Sequence, residues 1–390
     1  MNDAPRVCVV GPGTRFFSGI SVYTHRLVTA LERSHNLSVI LIRQMMPTWL
    51  YPGKNRVGVT EDWLEYPASA PVFNGLDWYL VPSLFQAARF LLRERPDVLV
   101  LQWWTATQLH AYAALAALAH SFGAKVVIEF HETQDTGEAR LRYARWMLQS
   151  MAPLLMKQAD AVIAHSQHDA DALVALHSFD PNRITIVGLG PFDKLRLQPG
   201  QQPLREAPAG VCNVLCFGVL RPYKGIDHLI SAFNDLPAYQ IDRYWLTVVG
   251  ETWEGYDRPA ELIAASPYRD RITFINRYVP DSEVGAVFAG ADMVALPYLR
   301  SSASGPLHIT MDHGLPVVVT RVGGLAEAVE GYSGAVLVEP GDPAELRRGI
   351  ELATTLTGRK HPDPHSWEAN ARVYGALFSA LMARPELSHT

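Results

Sequence analysis

The sequence predicts an α/β protein built from two doubly wound parallel-sheet domains. Continuously apolar runs, such as residues 7–10 and 98–101, alternate with longer runs of helical period. Uninterrupted apolar runs are typical of parallel strands that are covered on both faces. The chain has 390 residues, enough for two hydrophobic cores. Residues 191–211 are rich in Gly, Pro, Gln and Arg without periodicity, and we expect them to form a linker between the halves.

The composition describes an ordinary globular protein, with 48% hydrophobic and 19% charged residues. The formal net charge of -5 provides no basic field, so we expect no nucleic-acid partner. Cys8, Cys212 and Cys216 fall in predicted strands without a Cys-x-x-Cys motif, which predicts buried thiols rather than disulfides or a metal site. Residues 1–6 lack signal-peptide character, and the longest apolar helix pattern, residues 111–119, is shorter than the about 20 residues of a membrane span. We therefore expect a cytoplasmic protein.

The first domain, predicted over residues 1–190, begins with a strand, a glycine-containing loop and a helix. Strand 7–10 is followed by three glycines in the loop of residues 11–20. A dinucleotide-binding protein begins in the same way, but it needs an acidic residue at the end of the second strand to hold the ribose. The second strand, residues 37–41, is followed by Ile-Arg-Gln at 42–44, so a nicotinamide cofactor is disfavoured.

The loop at residues 44–61 holds several large apolar side chains without a clear period. It either packs against its neighbours, which is slightly favoured, or presents apolar surface to an acceptor or a membrane. Lys54 and Arg56 lie in the same loop and are compatible with contact to a membrane surface. Peripheral contact at the inner membrane face therefore stays open as an alternative.

Polar residues follow the central strand of the first domain. The remaining strands of this domain are predicted at residues 98–101, 126–130, 161–164 and 184–187. His131 comes directly after strand 126–130, at the edge where open α/β sheets bind ligands. A lone histidine is more often structural than functional, but this position favours a functional role. Glu132 and Asp135 are weaker candidates, for which a solvated loop is the favoured interpretation.

The second domain, predicted over residues 212–365, carries two cations in its first loop. The run Cys-Phe-Gly-Val-Leu-Arg-Pro-Tyr-Lys-Gly, residues 216–225, ends a strand and precedes an amphipathic helix. Arg221 and Lys224 fall at the strand end and beside a helix amino terminus, which is a favourable place for a phosphate dianion. Taken alone, a solvated loop with two exposed cations is an equal alternative.

A second loop, made of small residues, supports the phosphate interpretation. Residues 301–306, Ser-Ser-Ala-Ser-Gly-Pro, lie between a strand at 293–296 and a helix at 306–313. Small side chains let backbone N–H groups and hydroxyls approach an anion closely. Proline is favoured in the first helical turn, where its missing N–H is not needed.

Two further groups of polar residues give weaker signals. Glu251 follows Gly250 at a strand end, where a ligand-facing role and a surface loop are almost equally favoured. His308 and Asp312 lie four residues apart on the predicted helix, which favours a local pair over a metal site.

Together with residues 248–253, 290–292 and 321–327, the two loops resemble the carboxyl-terminal domain of a glycosyltransferase family 4 enzyme. The resemblance covers most of residues 212–355 and implies the GT-B fold, two Rossmann-like domains facing a cleft. It implies transfer of a sugar, with retention of configuration, from a nucleotide-diphosphate sugar to an acceptor hydroxyl, without a metal or another cofactor. The acceptor, a glycan, a lipid-linked sugar or a small molecule, would bind the first domain. The helix within residues 366–390 would cross back to that domain.

The resemblance also implies roles for individual residues. Arg221 and Lys224 would stabilise the leaving diphosphate, and His131 would contact the donor sugar or its phosphates. The remaining residues implied to bind the donor are Gly19 over the diphosphate, Arg277 and Tyr278 near the base, Ser304 and Gly305 at the phosphates, Glu251 facing the ligand and Glu327 as one candidate for the ribose.

The sequence departs from the family pattern in two places. Ser301 and Ile309 stand where most members carry the two glutamates of a Glu-x7-Glu motif, and isoleucine cannot hold a ribose. The Ser-Gly sequence instead resembles a branch that shares the Arg-Pro-Tyr-Lys-Gly loop. Arg221 is interpreted as a displaced substitute for the family's arginine, whereas Lys224 aligns without adjustment. A sugar-nucleotide 2-epimerase and a catalytically inactive binding or scaffold subunit therefore remain as alternatives.

Overall fold

The computed structural model describes residues 4–13, 19–44, 65–77, 81–132, 152–193, 195–252, 255–301 and 303–383. The chain divides into two compact units. The first unit comprises Met1–Gly190 with Ser366–Thr390, and the second comprises Pro191–His365. Each described unit is built on one parallel sheet, as the sequence predicts.

The first unit contains a seven-stranded parallel sheet in the order β3-β2-β1-β4-β5-β6-β7. Its strands are β1 Arg6–Pro12, β2 Asn36–Gln44, β3 Val72–Asp77, β4 Val98–Trp103, β5 Lys125–Phe130, β6 Ala161–Ala164 and β7 Ile184–Ile186. Its helices are α1 Gly19–Leu31, α2 Val81–Glu94, α3 Leu109–Ser121, α4 Gln167–His177 and the C-terminal helix Trp367–Ala383. Residues 152–157 are also helical. The C-terminal helix packs on α1 of this unit, and a hydrogen bond of 2.9 Å joins the hydroxyls of Tyr23 and Tyr374.

The apolar runs of the sequence form the central strands because both faces of the sheet are covered. Every residue of β4 is buried, and β5 is buried from its second residue onward. Strand β3, the outer strand of this sheet, was not predicted from the sequence. Its side chains alternate between partly exposed and exposed over its first four residues, and Gly75 lies in its middle. An edge strand with one solvent-exposed face carries no continuous apolar run.

The second unit contains a six-stranded parallel sheet in the order β10-β9-β8-β11-β12-β13. Its strands are β8 Cys212–Phe217, β9 Tyr244–Val249, β10 Ile272–Ile275, β11 Met293–Leu296, β12 Val317–Thr320 and β13 Ala335–Val338. Its helices are α5 Ile226–Asn234, α6 Arg258–Ala264, α7 Asp281–Ala289, α8 Gly305–Asp312, α9 Leu325–Ala328 and α10 Pro343–Thr354. The strand order reverses between β8 and β11, which is the position where sheets of this kind bind ligands.

The segment that the sequence analysis describes as a linker packs on the second unit. Leu204 donates a backbone hydrogen bond of 2.8 Å to Ala286 of α7. A Cβ atom added to Gly285 would lie 2.4 Å from the backbone of Arg196, so the segment needs a glycine on the helix that it crosses. Residues 195–211 contain no helix or strand, yet they follow the surface of α7.

Three sequence-based expectations concern membrane-spanning helices, the loop at 44–61 and the state of the cysteines. Among the described residues, none of the helices combines the length and the apolar character that a membrane crossing needs. The loop at 44–61 lies outside the described residues apart from Gln44, so membrane contact through it stays a prediction. The three cysteines have no disulfide partner, and burial raises the pKa of the Cys8 and Cys216 thiols to about 12.

Candidate functional site

The loop between β8 and α5 is a tight structure that depends on glycines. Gly218 has a φ of +118° and donates a hydrogen bond of 3.0 Å to Val249 at the end of β9. Residues Pro222–Lys224 form one turn of 3-10 helix, and Gly225 ends this turn with a φ of +65°. A Cβ atom on Gly225 would lie 1.9 Å from the carbonyl oxygen of Pro297. The loop can therefore pack against the end of β11 only because this residue has no side chain.

Lys224 and the start of α8 meet at Gly218. The position of a Cβ atom added to Gly218 lies 2.8 Å from Lys224 Nζ and 3.5 Å from Pro306 Cγ. Lys224 Nζ also lies 5.1 Å from the ring centroid of Tyr298, a cation–π contact. Burial raises the pKa of Tyr298 above its usual range, so this ring stays a neutral phenol. The structure thus brings together the two loops that the sequence analysis singled out, 80 residues apart in the chain when counted from Lys224 to Ser304.

The amino terminus of α8 is capped by the residue that the sequence analysis assigned to the phosphates. Ser304 is buried and extended, and its Oγ accepts a hydrogen bond of 3.3 Å from the backbone N–H of Leu307. The same hydroxyl donates to Tyr298 at 3.3 Å. A Cβ atom on Gly305 would meet no atom within 4 Å, so the space beside the first helical residue is open. A helix amino terminus carries a partial positive charge, which favours an anion in that space.

Arg221 and Glu251 border the same loop. Arg221 precedes the 3-10 turn in an extended conformation and is half-buried. Glu251 lies beside the loop because its carbonyl oxygen accepts a hydrogen bond of 2.9 Å from Leu220. Both residues are therefore close to the loop along the backbone, while their roles toward a ligand remain predictions.

The other candidates in the second unit stand apart from the glycine loop. Arg277 follows β10, the outer strand, and its guanidinium is paired with Glu283 of α7. It also donates to the carbonyl oxygen of Tyr278 at 3.1 Å. Glu327 is half-buried on α9, after β12. The recognition of a base by Arg277 and Tyr278 and of a ribose by Glu327 remains a prediction.

One expectation about α8 is wrong. Asp312 does not pair with His308, because both of its carboxylate oxygens bind the guanidinium of Arg196, with Nε–Oδ2 at 2.8 Å. Sequence spacing alone cannot show this partner, which lies 116 residues away. His308 is buried, and its ring lies edge-on to His365 with the ring centroids 5.2 Å apart. Ile309 is also buried, at 4% exposure, so the position of the second family glutamate faces the interior.

In the first unit, His131 belongs to a buried polar cluster, which we call the histidine cluster. His131 follows β5, and its Nδ1 lies 3.0 Å from Nε2 of His165, which follows β6. Its Nε2 lies 3.9 Å from Oε2 of Glu129. Burial, and then the neighbouring His165, hold the pKa of His131 well below its usual range. Gly19, the other candidate in this unit, is the exposed first residue of α1, and residues 14–18 lie outside the described part of the chain.

The roles of Glu129 and His165 were not predicted from the sequence. An acidic residue within the apolar run Val-Val-Ile-Glu-Phe was the available signal, because a charge in a doubly covered strand needs a partner. Glu129, His131 and His165 offer ligand atoms within 4.8 Å of one another, as a metal site would require. Their contacts satisfy most of these atoms, since Tyr374 and Gln102 donate to Glu129 and both nitrogens of His165 are engaged. The absence of a metal stays a prediction.

Two family models match adjoining parts of the chain. The model described as Glycosyltransferase Family 4 matches residues 17–190, and the model described as Glycosyl transferases group 1 matches residues 208–374. Together they cover both units.

Curated relatives include several proteins named D-inositol 3-phosphate glycosyltransferase. The protein of Mycolicibacterium vanbaalenii is 32% identical over 238 residues, which is 57% of this chain and 50% of the relative. The protein of Rhodococcus jostii is 29% identical over 247 residues, 59% of this chain and 54% of the relative. The chain thus spans about half the length of the curated relatives it matches.

Solved structures resemble the chain along almost its whole length. Anabaena HepE in complex with UDP and glucose has a TM-score of 0.63 at 18% identity, covering 97% of each chain. The catalytic domain of Arabidopsis starch synthase IV, bound to ADP and acarbose, has a TM-score of 0.70 at 12% identity, covering 98% of this chain and 100% of the other. At these identities the likeness concerns the fold, and it confirms the GT-B fold class.

Proposed function

Because the chain belongs to glycosyltransferase family 4, we propose that it transfers a sugar from a nucleotide-diphosphate sugar to an acceptor hydroxyl. The observation that carries this proposal is the meeting of the Lys224 ammonium, the Gly218 backbone and the amino terminus of α8 at one point of the second unit. These are a cation, a backbone without a side chain and a helix dipole, the three features that favour a diphosphate. The family's Glu-x7-Glu pair is replaced here by Ser301 and Ile309.

The proposed chemistry is the stabilisation of a departing diphosphate. Cleavage of the sugar–phosphate bond leaves negative charge on the leaving group, and fixed cations and dipoles stabilise it without rearranging. Lys224 is held in place by the Tyr298 ring, and its turn is fixed by Gly225. Arg221 would add a second cation from the same loop. We expect these groups to act without a bound metal ion.

Retention of configuration fits a front-face displacement. In this mechanism the acceptor hydroxyl attacks from the side of the leaving group, and the leaving phosphate takes its proton. No side-chain nucleophile is then required. His131 would contact the donor sugar or its phosphates from the first unit, and Gly19 would lie over the diphosphate. The first unit would bind the acceptor, and peripheral contact with the inner face of a membrane belongs to the same proposal.

The relatives suggest which substrates to test first. HepE was solved in complex with UDP-glucose, and the curated relatives are named for D-inositol 3-phosphate. A UDP-sugar is therefore the first donor, and a polyol phosphate is the first acceptor. A GDP-sugar, a glycan and a lipid-linked acceptor complete the set.

A thermal-shift panel followed by product analysis tests the function. A donor present at 100 times its Kd stabilises the folded state by about 2.7 kcal/mol, because it binds the folded chain only. We expect a shift with UDP-glucose or GDP-mannose that is lost in Lys224→Ala and kept in the control Lys360→Ala, since Lys360 donates to His313 away from the glycine loop. Formation of a glycoside supports the transferase. A free epimer would instead identify a 2-epimerase, and the absence of both donor binding and product would identify a scaffold subunit.

A further inference from the structure

The proposed function uses one residue of the histidine cluster and leaves the others without a role. The cluster lies at the carboxyl ends of β4, β5 and β6. Glu129 and His131 are buried, and the side chain of His165 is 3% exposed. The hydrogen bonds of the cluster determine which ring nitrogen of His131 carries the proton. This decides which nitrogen can donate a hydrogen bond to a substrate and which can accept one.

His165 fixes the proton of His131. Its Nδ1 lies 2.8 Å from the carbonyl oxygen of Val187, and because a carbonyl only accepts, Nδ1 carries the proton. In a neutral ring, Nε2 then has a lone pair and accepts a hydrogen bond. Its partner, at 3.0 Å, is Nδ1 of His131, which must therefore be the donor. His131 then carries its proton on Nδ1, and its Nε2 is an acceptor.

The Nε2 atom of His131 is left with an unusual neighbour. Among the described residues, this buried nitrogen has no hydrogen-bond partner. It faces Oε2 of Glu129 at 3.9 Å, so two acceptors lie opposite each other. A buried acceptor without a partner is destabilising. The distance is too long for a direct hydrogen bond, but one oxygen atom that bridges the two atoms can lie about 2.8 Å from each.

Glu129 is held so that it cannot turn away from this space. Gln102 donates to its Oε2 at 3.1 Å, and the hydroxyl of Tyr374 donates to its Oε1. Tyr23 binds the Tyr374 hydroxyl at 2.9 Å and lies edge-on to the His131 ring, with centroids 4.8 Å apart. Three elements, β4, α1 and the C-terminal helix, therefore hold the carboxylate and the imidazole in place.

We propose that His165 and Glu129 are positioning residues for His131. His165 keeps the proton of His131 on Nδ1, and Glu129 marks the place where one hydroxyl group or water molecule donates a hydrogen bond to Nε2. This inference rests on the proposed function for the role of His131 in sugar transfer. It extends the active arrangement to Glu129 of β5 and to His165 after β6, which contact His131 rather than substrate.

Nitrogen NMR of the full chain labelled with ¹⁵N-histidine tests the tautomer without any activity. The His131 signals are assigned by their loss in His131→Gln. We expect a protonated Nδ1 and an unprotonated Nε2 at neutral pH. In His165→Leu the acceptor is lost, and the proton should move to Nε2, toward Glu129. In His165→Gln the amide oxygen still accepts, and the tautomer should stay. In the native chain His120 binds Asp160. The control variant His120→Gln should therefore leave the His131 signals unchanged.

Kinetics of the same variants test the positioning role. His165→Leu should lower kcat on the order of a hundredfold while the KM for the donor changes little, and His165→Gln should recover most of the loss. An unchanged His131 tautomer in His165→Leu, or equal losses in both variants, would overturn the proposal. If the wild-type chain transfers no sugar, the proposed function fails, whereas the NMR result still decides the tautomer.

Glu129→Gln tests the carboxylate. Among the described residues, Glu129, His165 and the phenol of Tyr23 lie against the His131 ring, and Gln102 and Tyr374 donate to Glu129. Burial keeps the two phenols protonated by raising their pKa. Glu129 is thus the negative charge of this set and favours the protonated His131. We expect the NMR titration midpoint of His131 to move to lower pH in Glu129→Gln. A midpoint that stays in place or rises would contradict the role of Glu129.

Discussion

The two units carry polar groups at the same edge of similar sheets, but they build these places in different ways. In the second unit, short loops bring one ammonium, a bare backbone and a helix terminus together around Gly218. In the first unit, buried side chains from β4, β5, the C-terminal helix and the residues after β5 and β6 bind one another. The first kind of site is open to an anion, whereas the second is a network that sets the protonation of one histidine. Each loop of the site in the second unit is a contiguous stretch of sequence. The side chains of the network in the first unit come from separate parts of the chain.

The largest expected effect belongs to the cation of the second unit. Lys224→Ala should lower kcat by about a hundredfold to a thousandfold, because it removes a fixed charge from the leaving diphosphate. The measurement is steady-state transfer from a UDP-sugar, with circular dichroism to show that the fold is kept. Lys360→Ala, in the same unit, should retain full turnover. Normal turnover in Lys224→Ala would remove this residue from the chemistry.

The glycine loop should be the most sensitive part of the second unit to a small side chain. Gly225→Ala adds a Cβ that would lie 1.9 Å from the Pro297 carbonyl oxygen at a φ of +65°. We expect a loss of about 3 kcal/mol or more in the free energy of unfolding, measured in denaturant. Gly305→Ala is the matched control, since its Cβ meets no atom within 4 Å. Equal stabilities of the two variants would show that the loop is not tightly packed.

Removing a hydrogen-bond donor from the side-chain network of the first unit should lower the free energy of unfolding. Tyr374→Phe removes the hydroxyl that donates to Glu129 and keeps the ring. We expect a loss of about 2 kcal/mol in the free energy of unfolding, because a buried carboxylate loses a hydrogen bond. Tyr332→Phe removes a hydroxyl that donates to the Leu315 carbonyl, and it should cost about 1 kcal/mol. A smaller loss in Tyr374→Phe than in this control would argue against a charged, fully held Glu129.

The smallest expected effect concerns the cap of α8. Ser304→Ala removes the acceptor for the Leu307 N–H and should cost about 1 kcal/mol of stability. Ser301→Ala, which loses only a hydrogen bond to the Ala303 carbonyl, should cost less. Chemical denaturation of the two variants provides the comparison. The reverse order would mean that the Ser304 side chain does not hold the helix start.

The same difference between the units explains which parts of the candidate site could be predicted from the sequence. The strand–glycine–cation motif predicted the loop that contains Lys224, because its requirements are local: a positive φ, a tight turn and a helix start. The run of small residues at 301–306 predicted the second loop, whose position near the first follows from the order of strands in the parallel sheet. The Asp312–Arg196 pair and the edge strand β3 were not predicted, since neither leaves a periodic pattern.

The histidine cluster shows the limit of local patterns most clearly. His131 was found from its place after a central strand, but its neighbours are Glu129 and His165, and Glu129 in turn accepts hydrogen bonds from residues 102 and 374. Only the fold brings these residues together. The acidic residue inside an apolar strand was the one available hint, and it predicts a partner without saying which one.

The crystal structure of the chain with a bound nucleotide-diphosphate sugar tests the central claim most directly. We predict that the diphosphate oxygens lie within about 3 Å of Lys224 Nζ and of the first N–H groups of α8, beside Gly218. A nucleotide bound away from the glycine loop and from the start of α8 would contradict the account of how this chain holds its donor.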